Sequence, residues 1–147
     1  MQRVKSAEVR VDGDVVGSIS RGLLVFLAVG REDEETTAQA MAARVAGLRI
    51  FEDEQGKMNR SLSDTRGAML VVSQFTLMAD TRRGRRPSFV GAAAPERAAA
   101  LIDRLVSAVR AVDLEVATGC FGAHMDIDIR ADGPVTLMLD TKEKRSA

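Results

Sequence analysis

A short polar stretch follows the most apolar run of the chain. Ser73, Gln74, Phe75 and Thr76 come directly after residues 68–72, a branched apolar run typical of a buried strand. Because a rigid strand aims the groups at its end, the N–H groups of Gln74, Phe75 and Thr76 could stabilise a developing oxyanion. Thr76 could instead act as a nucleophile, although no base stands near it in sequence. A purely structural role for the stretch also stays open.

Gly133 and Pro134 form a second candidate stretch, inside residues 131–136. Glycine permits φ values that other residues avoid, and proline is the residue for which a cis peptide costs least. A cis bond here could turn backbone carbonyls toward a pocket. An ordinary Asp-Gly-Pro turn is the other interpretation. In either case we predict a tight turn that feeds a strand.

Four arginines surround Gly84 in a polar segment that predicts an exposed loop, namely Arg82, Arg83, Arg85 and Arg86. The guanidinium group presents a fork of donors that suits phosphate. The loop is therefore a candidate RNA-binding element. A solvated loop without a partner is the alternative.

The composition excludes several kinds of chemistry. His124 and Cys120 are the only histidine and cysteine, so a Cys–His pair or a Ser–His–Asp triad would have to use them. They lie four residues apart in a predicted bend, where a surface or structural role suits both better. The sequence shows no zinc-ligand spacing, P-loop or dinucleotide fingerprint. We therefore predict no metal and no cofactor.

Charge and cysteine usage bound the partners and the compartment. The 21 Lys and Arg balance 21 Asp and Glu, so any RNA contact must come from a local patch. Trp and Tyr are absent, which argues against stacking of several bases. One cysteine fits a reducing compartment, and the sequence shows neither a signal-peptide pattern nor a membrane-spanning run. We predict a cytoplasmic protein that binds no membrane.

The elements that would position these residues form one domain over residues 1–147, with a flexible charged tail at 141–147. Hydrophobic periodicity predicts two helices, one over 33–48 with Asp33 as its N-cap and one opened by Pro95 with an apolar face that extends to Val112. Alternating or continuous apolar runs predict strands over 7–11, 14–19, 23–29, 49–51, 68–77, 114–117, 125–129 and 135–139. Residues 52–65 predict a long loop or irregular hairpin. This order predicts an α+β fold, with a largely antiparallel, curved or barrel-like sheet and two helices against it.

From residue 2 to residue 139 the chain resembles the D-aminoacyl-tRNA deacylase family. Two stretches carry the resemblance, Ser73-Gln74-Phe75-Thr76 and Gly133-Pro134-Val135-Thr136. Further matches surround them, and they include Asp12-Gly13, Gly22-Leu23-Leu24-Val25, Gly56-Lys57-Met58-Asn59, Arg86-Pro87-Ser88-Phe89 and Gly119-x-Phe121-Gly122-Ala123-x-Met125.

The resemblance implies a homodimer with its site at the subunit interface. Gly133-Pro134 of one subunit, in cis, would reach into the pocket that holds Ser73–Thr76 of the other, with Phe121 and Met125 beside the substrate. The substrate implied is the ester at the 3′ end of D-aminoacyl-tRNA. An L side chain would be rejected by backbone, whereas a glycyl ester would also be cleaved. The enzyme would discard mischarged tRNA, with no DNA partner.

The same resemblance implies catalysis by backbone N–H groups near Phe75 and Thr76, helped by a ribose hydroxyl of the tRNA. Three residues depart from the usual family pattern, namely Ala131, Cys120 and His124. They keep open a dimeric tRNA-binding module that has lost catalysis. A hydrolase of small esters that uses Thr76 as its nucleophile is the other alternative.

Overall fold

The computed structural model describes residues 1–142. Eight strands, three α-helices and a 3₁₀ turn make up this part of the chain. In order they are β1 (Gln2–Val11), β2 (Asp14–Ile19), β3 (Gly22–Leu27), α1 (Glu35–Gly47), β4 (Phe51–Glu52), β5 (Met58–Arg60), α2 (Leu62–Thr65), β6 (Ala68–Ser73), the 3₁₀ turn (Phe75–Met78), α3 (Pro95–Arg110), β7 (Val116–Thr118) and β8 (Asp126–Thr136).

The main sheet has the order β2-β1-β3-β6-β7, and β8 pairs with β1. Strand β1 is antiparallel to β2, β3 and β8, whereas β3, β6 and β7 run parallel to one another. Parallel neighbours need long crossovers, which α1 and α3 supply. The predicted α+β fold with a curved sheet is confirmed, although its centre is parallel and the sheet is therefore mixed.

The sheet curls until its two ends meet. A Cβ placed on Gly17 of β2 would lie 2.3 Å from the carbonyl oxygen of Thr118 in β7. Only glycine leaves room for this approach. The strands therefore form a nearly closed barrel.

Both faces of the central strands are buried, which explains their continuous apolar sequences. Leu23 and Met69 belong to a core cluster that also contains buried side chains of α1 and α3. Leu24 and Leu70 point the other way, into a second cluster with Val9 of β1. Strand β6 is thus held from two sides, so the residues at its end have a rigid support.

The helices differ from the prediction at their ends. Helix α1 begins after Glu34, not Asp33, because Glu34 and Thr37 form a reciprocal capping box. The Asp33 carboxylate instead accepts a hydrogen bond of 2.7 Å from the Gly30 N–H. Helix α3 opens with Pro95 as predicted, but Val112 lies beyond its end and is exposed. None of the helices within residues 1–142 is long and apolar enough to cross a membrane.

Residues 52–65, predicted as a loop or irregular hairpin, contain a hairpin of β4 and β5 and a third helix that was not predicted. Ser61 caps this helix, α2, because its hydroxyl accepts from the Asp64 N–H at 3.1 Å. Leu62 is fully buried and fixes the short helix against the core. A single turn has too few residues for a hydrophobic period, so the sequence pattern did not reveal it.

The C-terminal part of the sheet is one strand, where the sequence predicted two strands joined by a tight turn. Strand β8 continues through residues 132–134, and register shifts against β1 absorb the extra residues. The prediction of a turn at Asp132-Gly133-Pro134 was therefore wrong. Beyond β8, Lys142 forms an ion pair of 3.3 Å with Glu32. The rest of the predicted flexible tail, residues 143–147, lies outside the described residues.

Candidate functional site

The first signature stretch lies at a bend, because β6 ends at Ser73 rather than at Leu77. The Gln74 N–H still donates to the Leu27 carbonyl at 2.8 Å, and the chain then enters the 3₁₀ turn. Phe75 and Thr76 are the first two residues of that turn, so their N–H groups have no earlier carbonyl to pair with inside it. The bend therefore offers two adjacent backbone donors beside a rigid strand end.

The side chains of the stretch carry no activating base. The Gln74 amide donates to the Thr76 hydroxyl. Within residues 1–142 no carboxylate or imidazole hydrogen-bonds to that hydroxyl. Thr76 thus lacks the partner that a nucleophilic hydroxyl requires.

Apolar side chains are exposed around this bend. Phe75 is 59% exposed, and its ring meets the edge of Phe89 with centroids 5.0 Å apart. Leu77, in the same turn, is 55% exposed, and Phe121, two residues after Gly119, is 45% exposed. Because water-facing aromatic groups of this size mark interaction surfaces, the bend is a candidate contact surface.

Met125 lies against the same end of the sheet. The Gly119 N–H donates to the Val71 carbonyl at 2.9 Å, which fixes Gly119 beside β6. A Cβ on Gly119 would come within 2.8 Å of the Met125 Sδ atom and 3.7 Å of Val72. The structure thus places Met125 near the end of β6, and its role in substrate binding stays a prediction. The departures Cys120 and His124 are exposed in this segment.

The second signature stretch lies elsewhere in the chain. The Gly133–Pro134 peptide is cis, and both residues are exposed on β8. They lie opposite Arg3 of β1. Arg3 pairs with Leu23 of β3, and Leu23 in turn pairs with Met69 of β6. Ser73 lies four residues beyond Met69, which is roughly 13 Å along β6. Strands β8 and β6 are also separated by three strand spacings of about 4.8 Å each. One chain therefore does not bring the two stretches together.

Arg3 holds the second stretch, a role that was not predicted from the sequence. Its side chain is almost fully buried. Its Nε atom donates to the Asp132 carbonyl at 3.2 Å, and its Nη1 atom donates to the Ile50 carbonyl at 2.7 Å. Its guanidinium also lies 3.4 Å from the Asp132 carboxylate. The signal that could have found it is an arginine beside Val4 at the start of a predicted strand, since a buried charge must be paired.

The basic loop is closed by a pair of backbone hydrogen bonds between Asp80 and Ser88, of 2.7 and 2.9 Å. The Asp80 carboxylate accepts from the Arg82 backbone N–H and from two of its guanidinium nitrogens, at 3.0, 2.9 and 2.6 Å. Hydrogen bonding to Arg82 holds the pKa of Asp80 well below its usual range and raises the pKa of Arg82. All four arginines are exposed, but Arg82 is engaged by Asp80, whereas Arg83, Arg85 and Arg86 have no side-chain partner within residues 1–142.

The bend does not line either of two open depressions in the described part of the chain. These depressions, of about 620 and 390 Å³, are lined by other residues. Among residues 1–142 no three His, Cys, Asp or Glu side chains are grouped so that they could hold a metal ion.

A family model described as D-Tyr-tRNA(Tyr) deacylase matches residues 1–140. The chain belongs to this family. It is 54% identical over 145 residues to a D-aminoacyl-tRNA deacylase from Thermomicrobium roseum, covering 99% of this chain and 94% of that protein. It is also 54% identical over 144 residues to a D-aminoacyl-tRNA deacylase from Paracoccus denitrificans, covering 98% and 97%.

Two solved structures are similar in fold. One, titled c-Myc DNA Unwinding Element Binding Protein, has a TM-score of 0.88 and 36% identity, and 95% of each chain is covered. The other, titled as a probable eukaryotic D-amino acid tRNA deacylase, has a TM-score of 0.75 at 20% identity, with 90% of this chain and 92% of that chain covered. At this lower identity the second match shows the fold alone.

The resemblance to the deacylase family and the prediction that the chain is an enzyme of that family, a hydrolase of ester bonds, are confirmed by these matches. The site residues, the homodimer and the lack of a DNA partner stay predictions.

Proposed function

We propose that this enzyme hydrolyses the ester that joins a D-amino acid to the terminal adenosine of tRNA, and releases free D-amino acid and tRNA. The observation that carries the proposal is the family match over residues 1–140, within which both signature stretches are intact. The open bend at the end of β6 supports the assignment of the first stretch to the reacting carbonyl. We expect the enzyme to act in the cytoplasm, where its proposed substrate, aminoacyl-tRNA, is used.

The chemistry proposed for the bend needs no activated side chain. A water oxygen adds to the ester carbonyl, whose electron pair moves onto its oxygen. The N–H groups of Phe75 and Thr76 donate to that oxyanion, in a manner that is often the largest single catalytic contribution. As the intermediate collapses, the ribose oxygen leaves and takes a proton that the water gives up. The adjacent ribose hydroxyl positions the water.

The chiral selection proposed here uses two copies of the chain. Gly133 and Pro134 are exposed on one strand, whereas the bend with its exposed Phe75 and Leu77 lies well apart from them. In a homodimer the Gly133-Pro134 backbone of one subunit would cover the bend of the other. Its carbonyls would leave no room for an L side chain, while a glycyl group would still enter.

Recognition of the RNA is assigned to the basic loop. Phe89 follows this loop and packs on Phe75, so the loop ends beside the bend. Arg83, Arg85 and Arg86 have free guanidinium forks for phosphate oxygens, since none of them has a side-chain partner within residues 1–142. The engaged Arg82 contributes less.

The test is hydrolysis of matched D- and L-aminoacyl-tRNAs that bear the same amino acid, followed as ester loss. We expect rapid loss of the D form, slow loss of the L form and loss of the glycyl form. Equal loss of the D and L forms would contradict the rejecting backbone. Binding of both forms without cleavage would contradict catalysis and favour the tRNA-binding module.

A further inference from the structure

Two cations face each other beside the second signature stretch. Val4 of β1 pairs with Gly22 of β3 as the last pair of that ladder, and one further step of the same register places Lys5 and Arg21 across from one another. Opposite residues of an antiparallel pair point to the same face, with Cβ atoms about 5 Å apart. Both side chains are exposed, and both line the depression of about 390 Å³.

The carboxylates of this depression are already engaged. Arg3 lies 3.4 Å from the Asp132 carboxylate and 3.7 Å from that of Glu52. Lys5 and Arg21 have no side-chain partner within residues 1–142. Like charges directly opposite one another destabilise a strand pair. The pair therefore carries a cost in the free chain that an anion between the two side chains would remove.

We propose that Lys5 and Arg21 form a binding site for phosphodiester groups of the RNA substrate. Arginine supplies a two-pronged contact and lysine a mobile point charge, so together they can hold one phosphate or two successive ones. The inference rests on the proposed function and deepens it. Asp132 lines the same depression and directly precedes Gly133-Pro134. A subunit whose Gly133-Pro134 covers the partner's bend thus brings this pair to the RNA that enters there.

The RNA would then be contacted by both subunits. The basic loop of one subunit and the Lys5–Arg21 pair of the other would approach the same acceptor end. This arrangement predicts that the pair contributes to affinity and leaves the chemical step unchanged.

The experiment compares tRNA binding by the parent homodimer and the Lys5→Ala/Arg21→Ala variant over a range of salt concentrations. We expect the Kd for tRNA to rise about tenfold at low salt, and the slope of log Kd against log salt to fall by about two. The saturating rate of D-aminoacyl-tRNA hydrolysis should stay unchanged. The Lys5→Arg/Arg21→Lys variant should keep the parent affinity, because both charges remain.

The matched control is Arg97→Ala/Arg104→Ala, which removes two exposed cations from α3. Their side chains contact Asp33 and Glu35 near the start of α1. Its Kd and salt slope should stay near those of the parent. If the parent cleaves D-aminoacyl-tRNA and both double variants bind tRNA equally well, the inference fails and the proposed function stands. If the parent neither binds nor cleaves, both fail.

Discussion

The two signature stretches occupy opposite kinds of position. Ser73–Thr76 begins at the last residue of a parallel strand that is buried on both faces, and backbone hydrogen bonds fix the bend after it. Gly133–Pro134 lies exposed on β8, which pairs with β1 alone among the described strands. The core supports the first stretch, whereas one buried side chain, Arg3, supports the second.

This difference matches the two tasks proposed for the stretches. Oxyanion stabilisation needs donors that do not move, which a strand end held from both sides provides. Selection by exclusion needs a backbone that can enter another subunit's pocket, and only an exposed strand can do so. In the proposed homodimer, each chain would therefore supply a rigid half-site at the bend and an exposed half-site on β8 that do not meet within one chain.

Removal of Arg3 should have the largest effect on stability, because it would break the support of the second stretch and leave the first stretch intact. We expect Arg3→Met to lower the free energy of unfolding by about 3 kcal/mol, since the carbonyls of Ile50 and Asp132 and the Asp132 carboxylate lose their partner. Unfolding in urea measures this loss. Hydrolysis of L-aminoacyl-tRNA should rise relative to the D form in the variant that remains folded.

The control for this prediction is Arg10→Met on the same strand. Arg10 pairs with Glu8 at a more exposed position. Its loss should cost less than about 1 kcal/mol. Equal unfolding free energies for the two variants would contradict the supporting role of Arg3.

The sequence predicted the central elements because their patterns are strong. The apolar run of residues 68–72 and the Pro95 helix start appear in the structure as expected. The end of β6 was misplaced because Phe75 and Leu77 continue an apolar alternation, although both are exposed in a turn. Their exposure fits the subunit contact that the proposed homodimer would make there.

The second half of the candidate site was less predictable. Asp132-Gly133-Pro134 has the composition of a turn, and only pairing with β1 makes it part of a strand. The partners of Arg3 are 47 and 129 residues away in sequence, so local pattern cannot reveal them. The parallel pairing of β3 with β6 is likewise a long-range feature that depends on the crossover through α1.

Substitution of Thr76 should have a moderate effect and would sharpen the role of the first stretch. Because the proposed donors are backbone groups, Thr76→Ala should lower kcat by less than about tenfold. If Thr76 were the nucleophile, its removal would lower kcat by several orders of magnitude, as removal of a triad residue does. Single-turnover hydrolysis of D-aminoacyl-tRNA measures the difference, with Thr76→Ser as the control that keeps the hydroxyl. Complete loss in a folded Thr76→Ala variant, together with an acyl-enzyme detected by mass spectrometry in the parent, would contradict backbone catalysis.

Release of Arg82 from its ion pair with Asp80 should have the smallest effect, a small change in affinity for tRNA. This change extends the comparison to the basic loop beside the bend. Asp80→Asn would remove the charge that engages Arg82, so the Kd for tRNA should fall about two- to threefold at low salt and converge with the parent value at high salt. Asp103→Asn on α3 makes the same charge change at an exposed position and should leave the Kd near that of the parent. Equal affinities for the two variants would mean that RNA phosphates do not reach this loop. Tighter binding by Asp80→Asn alone would mean that the first stretch has an RNA-binding element on its own subunit, so that the projecting stretch supplies selection rather than the whole of substrate capture.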